Sequence, residues 1–428
     1  MTSLQIGRKV GRPAPFRIVA GYFASAVLCL AAATIALARA APDLAAGRPT
    51  SPRVLLAVHL VALGFLPFAV GGGALHILPV LLRNGAPAWR ARLALPLLWA
   101  GPVLAYGISA HRSSVAYPAL IVTGAGVAIL LSEVGVLVFQ APRGRIVLAS
   151  RVGVVLSSLH ALAAFVLGAL IFGVGWRPLR SVSDDRLVAI HLNLAVLGWL
   201  TMLIIAVGRT LGPMLALAPS AGERRLPVDE LLLAAGLWLV LVGIATAPSV
   251  AAAGAALILI ALVRFGLLMN RVRRGQRLRG FEGPIAHFLT GLAFLAQAAL
   301  TGLWLLHEHK PSGRLEELYV LFFLGGWAAG VTLGHLGKLF SLSASASWPP
   351  GPRPRQTSLY PRRTWLVEAL LFTVGIETLA AGILAHSQAT AYIGASALIA
   401  STAAAAAATL ATWQAARPAL GEPQAKNP

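Results

Sequence analysis

The sequence predicts an all-α polytopic membrane protein: twelve transmembrane helices arranged as three pseudo-repeats of four. Three observations carry this prediction. Hydrophobic residues make up 57% of the chain and charged residues 11%, where a soluble domain has about a quarter charged. Apolar runs of membrane-crossing length, about 20 residues each, recur from one end to the other. A glycine-centred pattern also appears three times. His59 to Pro79 reads HLVALGFLPFAVGGGALHILP, His191 to Met214 reads HLNLAVLGWLTMLIIAVGRTLGPM, and Gly326 to Ser341 reads GWAAGVTLGHLGKLFS. Gly64, Gly198 and Gly326 each precede an aromatic residue. Pro79 and Pro213 follow the first two, and Ser341 takes that place in the third. The spacing gives repeats of roughly 130 residues, about 17–140, 151–269 and 282–414.

The elements follow in order. Residues 1–16 are basic and Pro/Gly-bearing, and are expected to be disordered or to lie on the surface ahead of a membrane domain over 17–414. Backbone groups in lipid must pair within their own segment, so the apolar runs are helices. They fall at about 17–38, 53–82, 91–110, 115–140, 151–175, 186–212, 228–247, 249–269, 282–306, 316–341, 363–385 and 391–414. The first holds Cys29, the only cysteine, so no disulfide framework or Cys-based metal site is expected. The second carries His59 and His76 on either side of Gly71-Gly72-Gly73, a run that admits a neighbouring helix or a flat ligand. The fourth brings Glu133 into the membrane, the fifth His160. Asp184 and Asp185 lead into the sixth. The seventh and eighth meet at Ala247-Pro248-Ser249. The ninth begins with Glu282 and His287 and ends in His307-Glu308-His309-Lys310. The tenth holds His335 and Lys338, and the eleventh Glu368 and Glu377. Residues 415–428 are polar and expected to be a disordered tail.

The net charge is +21, and most of its arginines and lysines fall on loops sharing a side with the amino terminus. By the positive-inside rule both termini are then cytoplasmic, in the cell (inner) membrane. The cluster Arg271, Arg273, Arg274, Arg277 and Arg279 is read as lying at anionic headgroups rather than on nucleic acid. No cleavable signal peptide is expected, because the first apolar run is too long and lacks a cleavage site.

Histidines and buried charges are the candidate site residues. His59 and His191 lie in the outer third, at nearly corresponding places in two repeats. His76, His160, His287 and His335 fall in the inner half; His111, His307, His309 and His386 lie at outer helix ends. An imidazole at membrane depth needs a partner, and for most of these a carbonyl or hydroxyl of the next helix suffices. A neutral pair facing across a bundle core can instead ligate haem iron axially or hold copper. His307-Glu308-His309 reads as a solvated helix end, because residues two apart on a helix diverge. Arg209, Arg264 and Lys338 read as snorkelling to the inner interface. Glu133 and Glu377 lie well inside helices, where a carboxyl suits either a proton relay or a structural hydrogen bond.

Twelve helices, three four-helix repeats and a histidine near the start of the second helix resemble subunit I of the haem–copper oxidases. The closest local match runs from His59 to Pro87, ending GGGALHILPVLLRNGAP. The His191–Gly212 segment, with Gly198, Arg209 and Leu211-Gly212, also resembles the NnrS family, twelve-helix proteins associated with haem and copper and linked to nitric oxide. The resemblance implies His59 as a low-spin haem ligand and His191 as the first copper ligand. The chain also departs from the oxidase pattern. Residues 214–286 contain no histidine to complete a copper site, and the tenth helix opens Leu318-Tyr319-Val320-Leu321, with only the deeper His335. Standard oxygen reduction is therefore not expected. The expectation is a haem- or copper-binding membrane protein in nitric-oxide or metal response or in electron transfer. It would bind through His59 and His191, with His191 and His335 as candidate metal ligands. Gly64, Gly198 and Gly326 would be packing residues, and another membrane subunit or an electron donor would be the partner. The alternative is a transporter of a small molecule or metal, proton-coupled through Glu133 and Glu377; threefold repetition counts against the common transporter plans.

Overall fold

The computed structural model describes residues 14–82, 88–140, 148–173, 184–216, 218, 226–276, 282–308, 313–349 and 354–417. The expectations for the N-terminal arm, for the tail after Arg417, for Asp184's loop before Asp184 itself and for His309 lie outside these residues. Among the described residues, twelve helices are long and apolar enough to cross a bilayer: α1 Phe16–Ala45, α2 Pro52–Pro79, α3 Trp89–Ser109, α4 Ser113–Phe139, α5 Leu148–Phe172, α6 Asp185–Met214, α7 Val228–Ala245, α8 Pro248–Arg274, α9 Gly283–His307, α10 Gly313–Ala346, α11 Arg362–Leu384 and α12 Gln388–Ala415. The chain is an integral multi-pass membrane protein embedded in lipid. Spans one and twelve begin and end on one face, called here the terminal face.

Local chemistry sets the helix ends. Ser51 accepts from the Val54 N–H at 3.3 Å and Pro52 opens α2, a position where its missing N–H costs nothing. Pro248 does the same for α8 after extended Ala247, which fixes the expected boundary between the seventh and eighth helices. Helix α3 is interrupted at Trp99, because Pro102 cannot donate to the carbonyl four residues back. His111 and His386 end α3 and α11 in the left-handed region, with φ of 50° and 56°. There Arg112 and Ser387 donate back to the carbonyls of Gly107 and Gly382, which satisfies groups a helix end leaves open.

Three of the helices are not α-helical throughout. π-helical stretches occupy Leu60–Phe65 in α2, Leu194–Thr201 in α6 and Leu321–Ala329 in α10. Each contains one of the three glycines picked out by the sequence pattern. The stretches of α6 and α10 touch, as do those of α2 and α10. Helices α6 and α10 run in parallel: Tyr319 donates to Asn193 Oδ1 at 2.9 Å, and Trp327 Nε1 to Thr201 Oγ1 at 3.1 Å. A Cβ on Gly326 would stand 2.4 Å from Cγ of Phe294 on α9. One on Gly198 would stand 2.8 Å from Cβ of His160 on α5, and one on Gly64 3.0 Å from Cβ of Cys29 on α1. Each glycine thus lets its helix approach the preceding one.

Of the three cations expected to snorkel, Arg209 and Lys338 are buried instead, while Arg264 pairs with a carboxylate but keeps a half-exposed side chain. Arg209 is buried and pairs with Asp229 and, at 2.8 Å, with Glu230 of α7; Arg264 of α8 reaches Asp229 at 2.5 Å. Lys338 is also buried: it donates to Glu282 at 2.7 Å and lies over the Tyr360 ring at 5.2 Å. The reason is proximity. Carboxylates at the starts of neighbouring helices, Asp229 and Glu230 in the first turn of α7 and Glu282 at the N-cap of α9, offer partners within the bundle, and an unpaired charge left there would cost on the order of 3–5 kcal/mol.

Candidate functional site

A cavity of about 1480 Å³ runs through the bundle, lined mostly by apolar side chains. His59, His191 and His335 all line it and are half-buried, as residues facing an internal space are. Each imidazole is fixed by its own Nδ1. His59 Nδ1 is 2.8 Å from the carbonyl of Leu55, His191 Nδ1 2.9 Å from that of Ala164, and His335 Nδ1 2.7 Å from that of Val331. A carbonyl only accepts, so Nδ1 carries the proton in all three and Nε2 is left with the lone pair. This is the arrangement that holds a metal-ligating histidine in one tautomer.

His59 and His191 line the same cavity from different helices, α2 and α6. Tyr319 fixes the relative height of α6 and α10 through Asn193, two residues past His191. His335 lies about 24 Å further along α10 at 1.5 Å per residue. His191 and His335 therefore sit at different depths and cannot share one ion. Among the described residues no group of three or more His, Cys, Asp or Glu side chains converges as a metal site.

The space beside His191 depends on a small residue. Gly168 of α5 abuts the ring, and a Cβ there would come within 2.7 Å of its Cε1. Because the ring is already tied to Ala164, one turn earlier on the same face of α5, it has little freedom to retreat.

The other histidines have separate roles. His160 Nδ1 donates to the Gly198 carbonyl at 3.2 Å, the structural bond expected of a membrane histidine. His287 Nε2 lies 2.6 Å from Glu368, which also accepts from Ser401 at 2.9 Å; all three are buried. His76 is buried, and its Nδ1 has no hydrogen-bond partner. His307 ends α9, and the adjacent Glu308 accepts from Trp304 at 2.9 Å.

The two carboxyls expected to relay protons have partners away from the histidine pair. Glu133 is buried with the Arg90 guanidinium 3.6 Å away. Glu377 accepts from Gln297 of α9 at 3.0 Å and lies on the exterior of the bundle. Neither lines the cavity.

Sequence reasoning passed over Asn193, Thr201, Tyr319 and Trp327, which lock α6 to α10 beside the cavity. Asn193 carried a usable signal, since an amide inside an apolar run needs a partner in the bundle. Glu317 was also passed over: it is buried, lines the cavity, and its carboxyl oxygens make no hydrogen bond. No family model matches the chain, and no curated protein matches it.

Proposed function

We propose that the chain is a haem-binding membrane protein in which His59 and His191 would hold the iron through their imidazoles. The observation that carries this is the shared tautomer. Two histidines on different helices each spend Nδ1 on a carbonyl and keep Nε2 free beside one large apolar cavity. Two neutral imidazoles are a full protein complement for haem iron. Copper would draw on a further nitrogen, oxygen or sulfur ligand for its preferred geometries, and the described residues offer no third group. The donor set and the space fit haem. Bound there, haem would supply one-electron chemistry. The chain's own part is to hold the imidazoles, exclude water with apolar walls, and seal α6 against α10 through Tyr319 and Trp327.

The threefold reading supports the same proposal. The π-helical stretches recur in α2, α6 and α10, each around a glycine that packs on the preceding helix. The hairpins α3–α4, α7–α8 and α11–α12 each bring a glycine against an alanine of the next helix: Gly107 on Ala116, Gly243 on Ala251 and Gly382 on Ala391. Such recurrence is what three diverged four-helix repeats of an oxidase-subunit-like bundle would leave. In that bundle the terminal face is cytoplasmic, an electron donor or companion subunit completes the system, and the role is in nitric-oxide or metal response or electron transfer.

The test is a visible spectrum of detergent-purified protein from haem-sufficient cells. Wild type should show a Soret band and bis-imidazole α and β bands. His59→Ala and His191→Ala should each lose the bis-imidazole spectrum, Gly168→Ala should weaken it, and His335→Ala should leave it intact. A folded wild-type protein without a Soret band after haem reconstitution would sink the proposal and favour the transporter reading of the cavity.

A further inference from the structure

The cavity does not end inside the protein. On one side its walls are lipid-facing residues of two adjacent helices. Leu259 of α8 and Leu289 and Leu303 of α9 line the cavity while 42%, 38% and 43% exposed. These are the lips of a slot that extends over most of the height of the α8–α9 seam. Helices α8 and α9 touch sparsely, whereas α7 and α8 pack closely along their length. Gly266 of α8 also lines the slot, and a Cβ added there would meet nothing within 4 Å. An apolar slot facing lipid fills from the bilayer, because hydrocarbon loses nothing on moving from one apolar surface to another, whereas water would gain no partners there.

At the terminal-face end the slot changes character. Asn270, Arg273 and Gln276 close it on the α8 side, with the Glu282–Lys338 pair opposite. That pair is internally neutral. The charge left over is Arg273, exposed, whose described hydrogen bond is a long 3.5 Å donation to Asn270. The slot therefore offers an acyl-length apolar groove ending in one guanidinium and two amides, at the depth of the headgroups. Guanidinium matches phosphate oxygens in a two-pronged geometry, and amides supply further donors.

We propose that the α8–α9 slot is a binding site for an anionic phospholipid of the terminal-face leaflet. One acyl chain would lie along Leu259, Gly266 and Leu289, and the phosphate would sit on Arg273 with Asn270 and Gln276. The site does not depend on the histidine pair or on any cofactor. It differs from the general attraction of a basic surface for anionic lipid. Arg271 and Arg274, also exposed on the same turn, do not line the cavity and are not part of the site.

The experiment is native mass spectrometry of the full chain taken from nanodiscs of equal phosphatidylglycerol and phosphatidylcholine, followed by a graded detergent wash. Wild type should retain one phosphatidylglycerol in preference to phosphatidylcholine. Arg273→Gln should lower that retention about fivefold, the worth of one interfacial cation, while Arg271→Gln changes it little. Gly266→Phe, which fills the groove without touching the head end, should also lower it, with thermal unfolding confirming that the variant is folded. Equal retention of both lipids by wild type would overturn the proposal. So would equal losses in Arg273→Gln and Arg271→Gln, or undiminished retention in folded Gly266→Phe. None of these readouts involves the Soret band, so this site and the haem site stand or fall separately.

Discussion

Replacing Arg209 by Met probes what holds α6, α7 and α8 together. The guanidinium faces two carboxylates whose side chains are 5% and 0% exposed, Asp229 and Glu230. Without it Asp229 keeps Arg264 at 2.5 Å, but Glu230 is left in the bundle with no described cation. Breaking a buried pair by removing one partner costs about 3–5 kcal/mol, and Met fills much of the vacated volume, so the electrostatic part dominates. Adding Glu230→Gln removes the stranded charge. The double variant should therefore regain most of the loss and lie within about 1–2 kcal/mol of wild type, the scale of ordinary single substitutions. The assay is denaturant titration of the protein in a fixed detergent, with size-exclusion profiles to score the folded fraction. If Arg209 merely reached for the interface, Arg209→Met would be as stable as wild type and Glu230→Gln would give no rescue. Either result refutes the buried-network account.

Two further outcomes follow from the packing. Gly326→Ala should destabilise by about 1–3 kcal/mol through overpacking, because its Cβ would collide with Phe294 at 2.4 Å, while Gly135→Ala, with nothing within 4 Å, should change the unfolding midpoint little. Glu377→Gln keeps an acceptor for Gln297 and should leave stability within about 0.5 kcal/mol of wild type; a loss of proton-coupled transport in vesicles carrying this variant would instead revive Glu377 as a relay.

The architecture was legible in the sequence because lipid admits few choices. An apolar run of sufficient length must be a helix, so all twelve spans follow from hydropathy, and prolines and serines mark several of their ends. The glycine pattern likewise pointed to a real feature, although glycine–aromatic spacing does not announce that the helix there is π. What sequence could not supply was pairing between helices. Arg209 and Lys338 look alike to a reading that knows only their distance from a helix end. Their partners Asp229, Glu230 and Glu282 lie 20 or more residues away, on helices whose rotation about their axes is decided by packing. His59 and His191 could be singled out by their places in the pattern. Their fixed tautomers depend on carbonyls of Leu55 and Ala164, which every residue possesses and no sequence reveals.

The π-helical stretches allow a sharper test of how α6 is built. A π segment holds one residue more than the α-helix of the same rise, so the chain on either side keeps its facing. On the site side of the stretch in α6 lie His191 and Asn193; on the other lies Arg209. Deleting Leu197 should let Leu194–Thr201 close into α geometry while Asn193 still meets Tyr319 and Arg209 still meets Asp229. Deleting Ile204, three residues beyond in regular α-helix, removes a residue with no slack to absorb it. It turns everything after it by about 100°, the 3.6-residue period, and swings Arg209 away from α7. The first variant should therefore fold, keeping the ion-pair network but losing the close fit of Gly198 on His160. The second should lose the several kcal/mol of the stranded carboxylates and fail to accumulate in the membrane. Membrane-inserted yield and detergent melting of the two deletions decide the point. If both fail alike, the extra residue is bound into the packing of the bundle and is not slack in the helix.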